Sequence, residues 1–298
     1  MIYRPYSERI PDAQYQNVLR EILENGIEGE SQQEVDCITK MVPTPMHFRF
    51  ENGFPIITER DIGGFWRQSV GEIFAFINGA RTLKQLEEYG CYWWKSWGTP
   101  EKCAKRGLEP GDLGPGSYGA AFHDFPTAEG KPFNQVQHVI EQIKELPHLR
   151  THFISPWIPQ YIGRGKGKQQ KVVVAPCHGW MQIRILGNKL TLVMIQRSAD
   201  VPVGVPANMV QYAALTLAFA LITGYEPYEY IHVLIDAHIY ENQISYVKEI
   251  LKREPRKFPT LEIRPDINFK DIFEFHSGNF VLSDYDPYPA IKGIPVAI

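Results

Sequence analysis

Cys177 lies in the run VVVAPCHGW, after a proline and before His178, between two strand-like segments. A cysteine attacks as its thiolate, and a free-thiol pKa of roughly 8.5 must fall for that to happen at neutral pH. A cationic neighbour lowers it best; the plainer alternative is a buried structural cysteine. Arg197 offers the cation. In MIQRSADVPVGVPANMVQY, Arg197, Ser198 and Asp200 place a guanidinium, a hydroxyl and a carboxylate within four residues. An arginine fork binds phosphate bidentately, and beside a thiol it would depress that thiol's pKa. The apolar flanks argue against a mere surface salt bridge.

Further candidates stand nearby in the chain. Glu72 sits in the apolar run VGEIFAF; burial raises a carboxyl's pKa, the profile of a general acid or base. Asn208 opens an apolar stretch. Its amide either caps a helix or reads a base edge with one donor and one acceptor. His238 and Tyr240 in DAHIY alternate along a strand end and so share a face; they suit a sugar hydroxyl, or His238 is a satisfied core histidine. Trp93, Trp94 and Trp97 either pack the core or stack a flat ligand.

The elements that must position these groups are legible from spacing. Residues 14–25, 68–78 and 134–146 show helical periodicity, closed by Gly26, Gly79 and Pro147. Residues 180–186 and 189–195 predict a hairpin turning at Gly187-Asn188. Residues 208–223 predict a helix apolar all round, hence central and buried, stopped by Gly224. Residues 231–235 predict a buried strand and 241–252 another helix. Helices and strands without a regular βαβ rhythm indicate an α+β fold, one domain over residues 1–298 around a mixed sheet. Residues 98–116 and 163–171 read as loop insertions. The second, GRGKGKQQK, is either a solvated surface loop or a cationic flap near an anionic ligand.

Composition bounds the function. The chain has 298 residues, 44% hydrophobic, with a net charge of −3. Nothing is basic enough to favour nucleic-acid binding. No apolar run near 18–20 residues suggests a membrane span, and the charged start lacks a secretory h-region. Cys37, Cys91, Cys103 and Cys177 match neither a zinc pattern nor a disulfide scaffold. A reduced cytoplasmic protein without a metal is expected.

In order along the chain, GFPIIT, GDLGP-x-x-YG, APCH, QRSAD, VGVPAN, DAHIY and DPYPAIKGIPVAI resemble the thymidylate synthase family, which includes the nucleotide hydroxymethylases. The resemblance implies a large twisted sheet flanked by helices and a sheet-to-sheet homodimer. It implies that Cys177 adds to C6 of a pyrimidine nucleoside monophosphate, with 5,10-methylenetetrahydrofolate as co-substrate. Thiolate addition makes an enolate whose C5 attacks the folate methylene. By the same resemblance Glu72 is the acid/base, and Tyr118 and His178 belong to the network beside the base. Gln196, Arg197 and Ser198 meet the substrate, the latter two its phosphate. Asn208 reads the base, and His238 and Tyr240 hold the ribose 3′-hydroxyl. Arg150 is delivered from the partner subunit to the phosphate. Trp94, Trp97, Asp200, Gly204, Tyr240 and the tail residues Ala297 and Ile298 belong to the folate side, with the terminal carboxylate as a latch.

Four departures from the family pattern bear on the reaction. Gln33 stands near an expected phosphate arginine, and Arg150-Thr151 replaces an arginine pair. Each lost charge-assisted contact is worth roughly 1.5–3 kcal/mol, so the phosphate site must be rebuilt, for which Arg164, Lys166 and Lys168 are at hand. Ala207 replaces a phenylalanine before Asn208. GPGSYG and IKGIP are each one residue longer. These leave dUMP-to-dTMP methylation first, 5-hydroxymethylation of dUMP (or of dCMP or CMP) second, and a non-catalytic nucleotide-binding regulator as the reading from another class.

Overall fold

A computed structural model describes residues 2–297; Ile298, the expected latch, lies outside the described residues. The main sheet is built from β1 (Ile27–Gly29), β2 (Cys37–Met41), β3 (Met46–Arg49), β4 (Phe153–Ile154), β5 (Trp180–Leu186), β6 (Lys189–Asp200) and β7 (Glu226–Tyr240). Its order is β1-β2-β7-β6-β5-β4, with β3 pairing the other end of β7. Neighbours are antiparallel except β6 and β7, which run parallel with Asp200 beside His238. The sheet is therefore mixed, within the expected α+β class. The helices are α1 (Gln14–Asn25), α2 (Trp66–Ile77), α3 (Leu83–Glu88), α4 (Pro100–Ala104), α5 (Tyr118–His123), α6 (Gln135–Glu145), α7 (Pro159–Ile162), α8 (Gly204–Thr223) and α9 (Ile244–Ile250). A separate two-stranded ribbon joins Thr260–Ile263 to Phe280–Ser283.

A parallel pair cannot close by a tight turn, so α8 crosses between β6 and β7. Its Val205, Met209, Val210, Tyr212, Ala213 and Phe219 are fully buried. By length and composition α8 could cross a membrane, contrary to the expectation from the sequence that no segment would qualify. Its burial inside the domain, and the buried polar Asn208 and Gln211 on it, make it the central core helix. Gly224 ends it at φ 80°, the left-handed stop that glycine adopts without strain.

The hairpin falls as expected, Leu186 paired with Lys189 and Gly187 at φ 61°. Along β5 and β6, Met181, Ile183, Leu190, Leu192 and Met194 face the core. The opposite face carries Trp180, Gln182, Thr191, Val193 and Ile195, all half-buried. Several boundaries differ from the spacing. The second helix begins at Trp66, β7 covers fifteen residues where five were expected, and 241–252 divides into a 3-10 turn and α9. Residues 98–116 contain α4, buried Cys103 and Leu113, and Asp112 paired with Arg81 at 2.7 Å. That segment packs against the domain because it carries its own apolar residues.

Candidate active site

Gly179, at φ 101°, lets the chain turn sharply from Cys177-His178 into β5. A Cβ there would lie 2.9 Å from both the Phe122 ring and the Tyr212 hydroxyl, so no other residue fits. Cys177 thus stands half-buried beside the end of β6, whose Arg197 backbone N–H donates to the Cys177 carbonyl at 2.8 Å. The Arg197 guanidinium is pinned by the carbonyls of Pro176 (2.8 Å) and Ala175 (3.1 Å) and packs over the Trp157 ring. Its Nη2 reaches the Cys177 sulfur at 3.6 Å. The expected thiol–guanidinium contact is present. The net shift is opposite to the expectation: burial pushes the thiol up, and Arg197 only partly offsets this.

The Cys177 N–H donates to the Tyr118 hydroxyl at 2.6 Å, and the Tyr118 ring stacks between Phe76 and His178. His178 Nδ1 meets the Tyr212 hydroxyl at 2.6 Å. Burial, with the Arg197 charge beside it, holds His178 down to about 3, so it is neutral.

Glu72 is buried on α2. Its Oε1 accepts from the indoles of Trp93 (2.7 Å) and Trp94, and its Oε2 from Gln211. Burial raises its carboxyl, and these donors hold the rise back. Two of the three clustered tryptophans therefore donate to a carboxylate while their rings pack with the core, Trp94 edge-on to Phe76. Asn208 is not a helix cap: α8 begins at Gly204, so Asn208 lies a turn inside, and its Nδ2 donates to Gln211 at 2.8 Å. The overlooked signal was Pro206, since proline favours a first helical turn.

Asp200 closes β6. Burial lifts its carboxyl to about 6 against the pull of Gln243, which donates to both oxygens at 3.2 and 3.1 Å. The same Gln243 amide donates to the Pro295 carbonyl at 2.9 Å, tying the C-terminal segment to the site. His238, whose Nδ1 meets Asp236 at 2.9 Å, lies edge-on to Tyr240 at the end of β7. Gln196 donates to the Ser198 carbonyl and accepts from buried His232 at 2.9 Å.

A single cleft of about 520 Å³ brings together Glu72, Trp94, Trp97, Tyr118, Cys177, His178, Gln196, Arg197, Ser198, Asp200, Gly204, Asn208, His238, Tyr240 and Ala297. Arg150 is not among its lining residues. It is exposed, with its carbonyl on Gln182 at 3.1 Å. Reasoning from sequence missed Arg106 and Gln32, which also line the cleft, alongside Arg164 and Gln33. Arg164 bonds the side-chain oxygens of Gln170 and Gln32, each at 3.0 Å; Arg106 bonds the carbonyls of Val172 and Lys102, each at 2.8 Å. Both guanidiniums are thus held by neutral acceptors. Desolvation, then the charge of Arg164, pulls Arg106 below its usual value; among the described residues neither guanidinium bonds a carboxylate. Nothing local in the sequence marks Arg106.

No group of three or more metal-ligating side chains occurs among the described residues. A half-buried thiol beside an arginine, a buried carboxylate and a buried amide in one cleft can carry covalent addition with proton transfer. The family model described as thymidylate synthase matches residues 13–298, and the chain belongs to that family.

Proposed function

We propose that the protein transfers one carbon to C5 of dUMP, giving dTMP, through a covalent bond between Cys177 Sγ and C6 of the base. Membership of the family carries the coarser statement, folate-dependent C5 transfer to a pyrimidine nucleotide. The observation that supports the covalent step is the contact of Arg197 with the Cys177 sulfur at 3.6 Å, in the cleft that also holds Glu72, Asn208 and Asp200. The thiolate adds to C6 and the electron pair moves into an enolate, whose C5 forms the new carbon bond. Asn208 faces the base, Glu72 moves protons, and the thiolate leaves when the product forms. The folate supplies the carbon and, for a methyl product, the hydride. Trp97, Gly204, Asp200 and Ala297 line one cleft and fit a flat pterin.

Arg197 and Ser198 meet the phosphate, joined by Arg106 and Arg164, which line the same cleft as Gln33. The half-buried apolar face of β5 and β6, with Phe153 46% exposed at its edge, fits a sheet-to-sheet homodimer. Arg150 reaches a cleft only across such an interface. Four unpaired cysteines suit the cytoplasm.

One observation favours 5-hydroxymethylation as the second reading. Ala207 lies between cleft-lining Gly204 and Asn208 on α8 and leaves a methyl group where the family pattern has an aromatic wall. Water then adds where hydride otherwise would. Mass spectrometry of products from dUMP, dCMP, UMP and CMP with methylenetetrahydrofolate decides between them. Methylation gives dihydrofolate one-to-one with product, read near 340 nm; product without it supports hydroxymethylation. Cys177→Ala keeps nucleotide binding and makes no product, and turnover by that variant sinks the proposal.

A further inference from the structure

Gln211 follows Asn208 by one turn of α8, and Glu72 faces both from α2. The three side chains are 0%, 6% and 5% exposed respectively. Gln211 Oε1 accepts from Asn208 Nδ2 at 2.8 Å, and Gln211 Nε2 donates to Glu72 Oε2. The other carboxylate oxygen is already taken by Trp93 (2.7 Å), Trp94 and the Cys91 thiol (3.9 Å). An indole N–H only donates and an ionised carboxylate only accepts.

The polarity of the chain therefore runs one way. Glu72 turns the amino group of Gln211 toward itself, which turns the Gln211 oxygen toward Asn208. Asn208 gives that oxygen one N–H and keeps Oδ1 and its second N–H for the cleft. An acceptor beside a donor matches the N3–H and O4 of uracil. Cytosine presents the reverse, a bare N3 and an amino group. To meet it Asn208 would flip and set Oδ1 against Gln211 Oε1, two acceptors in a buried contact, which is costly.

We propose that Glu72, Gln211 and Asn208 form a relay that locks the site to uracil, with Gln211 as the positioning residue that fixes the Asn208 amide. The inference rests on the reading of Asn208 as the group facing the base.

Replacing Glu72 by glutamine inverts the relay. Trp93 and Trp94 still require an oxygen acceptor, so the new amino group occupies the Oε2 position and donates to Gln211. Gln211 and Asn208 then both turn over, and Asn208 shows the cytosine pattern. Replacing Gln211 by methionine, of similar volume, leaves Asn208 free to flip.

The test is equilibrium binding of dUMP and dCMP, by titration calorimetry, to the wild type, Glu72→Gln and Gln211→Met. Binding rather than turnover is read because Glu72 also serves the chemistry. The dUMP-over-dCMP affinity ratio is expected to fall by roughly tenfold or more in Gln211→Met and to reverse in Glu72→Gln. A relay that merely supports the fold would weaken both ligands together. A ratio unchanged from the wild type in the Glu72→Gln protein, which is isosteric and keeps the packing, overturns the lock even if Gln211→Met fails to fold. A wild type that binds neither nucleotide overturns the functional proposal instead.

Discussion

Arg197 is expected to set the reactivity of Cys177, and Arg197→Met tests this with little change in side-chain length. A unit charge 3.6 Å from the sulfur stabilises a thiolate by about 1 kcal/mol at a dielectric of 80 and about 5 kcal/mol at 20. Cys177 is half-buried, so solvent screening places the effect between these limits. At about 1.4 kcal/mol per decade, the thiolate population at a given pH falls roughly ten- to a thousandfold. The variant also frees the carbonyls of Pro176 and Ala175, which the same guanidinium now holds. The assay is the rate of iodoacetamide alkylation at Cys177 against pH, followed by mass spectrometry on the unliganded protein. Cys37, Cys91 and Cys103 are buried and serve as internal controls. The alkylation profile should move to higher pH, and kcat should fall by a similar factor. A profile within twofold of the wild type at every pH would refute the role of Arg197 as the thiol's cation.

Arg106→Gln with Arg164→Gln should raise KM for the nucleotide by roughly ten- to a hundredfold, at about 1.5 kcal/mol or less per contact, with kcat little changed. Equal loss in kcat and kcat/KM would remove the pair from phosphate binding. Asp200→Asn should stabilise the fold near neutral pH. Burial raises the native carboxyl from 3.8 to about 6, so the native state binds more protons than the unfolded one between these values. Wild-type stability therefore falls as pH rises through that window, by up to about 3 kcal/mol. Melting temperatures of wild type and variant should converge below pH 4 and separate by pH 7; a constant gap would refute this. The variant should also lose activity.

The readable parts of the site were those written in contiguous segments. APCH precedes β5 and QRSAD ends β6, so Cys177, Arg197 and Asp200 needed only a hairpin to meet, and the hairpin was plain from Gly187-Asn188. The sheet order was not readable, because spacing does not say that β7 pairs β2, β3 and β6 at once. Periodicity also shortened β7 to its most apolar five residues. Gln211 carried a legible signal that went unused: a polar side chain on a helix apolar all round must find a partner. Arg106 and Gln243 carried none, since Arg106 reaches the cleft, and Gln243 reaches Asp200, only through long-range packing. The direction of the thiol's shift failed for a physical reason. Sequence shows a charge neighbour but not burial, and in this cleft burial outweighs the charge.

That balance bears on how the cleft handles protons. Cys177, Glu72 and Asp200 are all pushed upward by burial, so each depends on a partner to hold its charge: donors for Glu72 and Asp200, and the Arg197 guanidinium for the thiolate. A phosphate bound to Arg197 alone would neutralise the one cation that favours the thiolate. On the proposed phosphate role, Arg106 and Arg164 would resolve the conflict, because they lie on the same cleft and among the described residues neither bonds a carboxylate. With them taking most of the phosphate charge, Arg197 would stay bound to the Pro176 and Ala175 carbonyls and keep its field on the sulfur. Loss of Arg106 and Arg164 would then cost more than affinity at high phosphate concentration. Inorganic phosphate should slow Cys177 alkylation more strongly in the double variant than in the wild type, because only there must Arg197 bind the anion by itself.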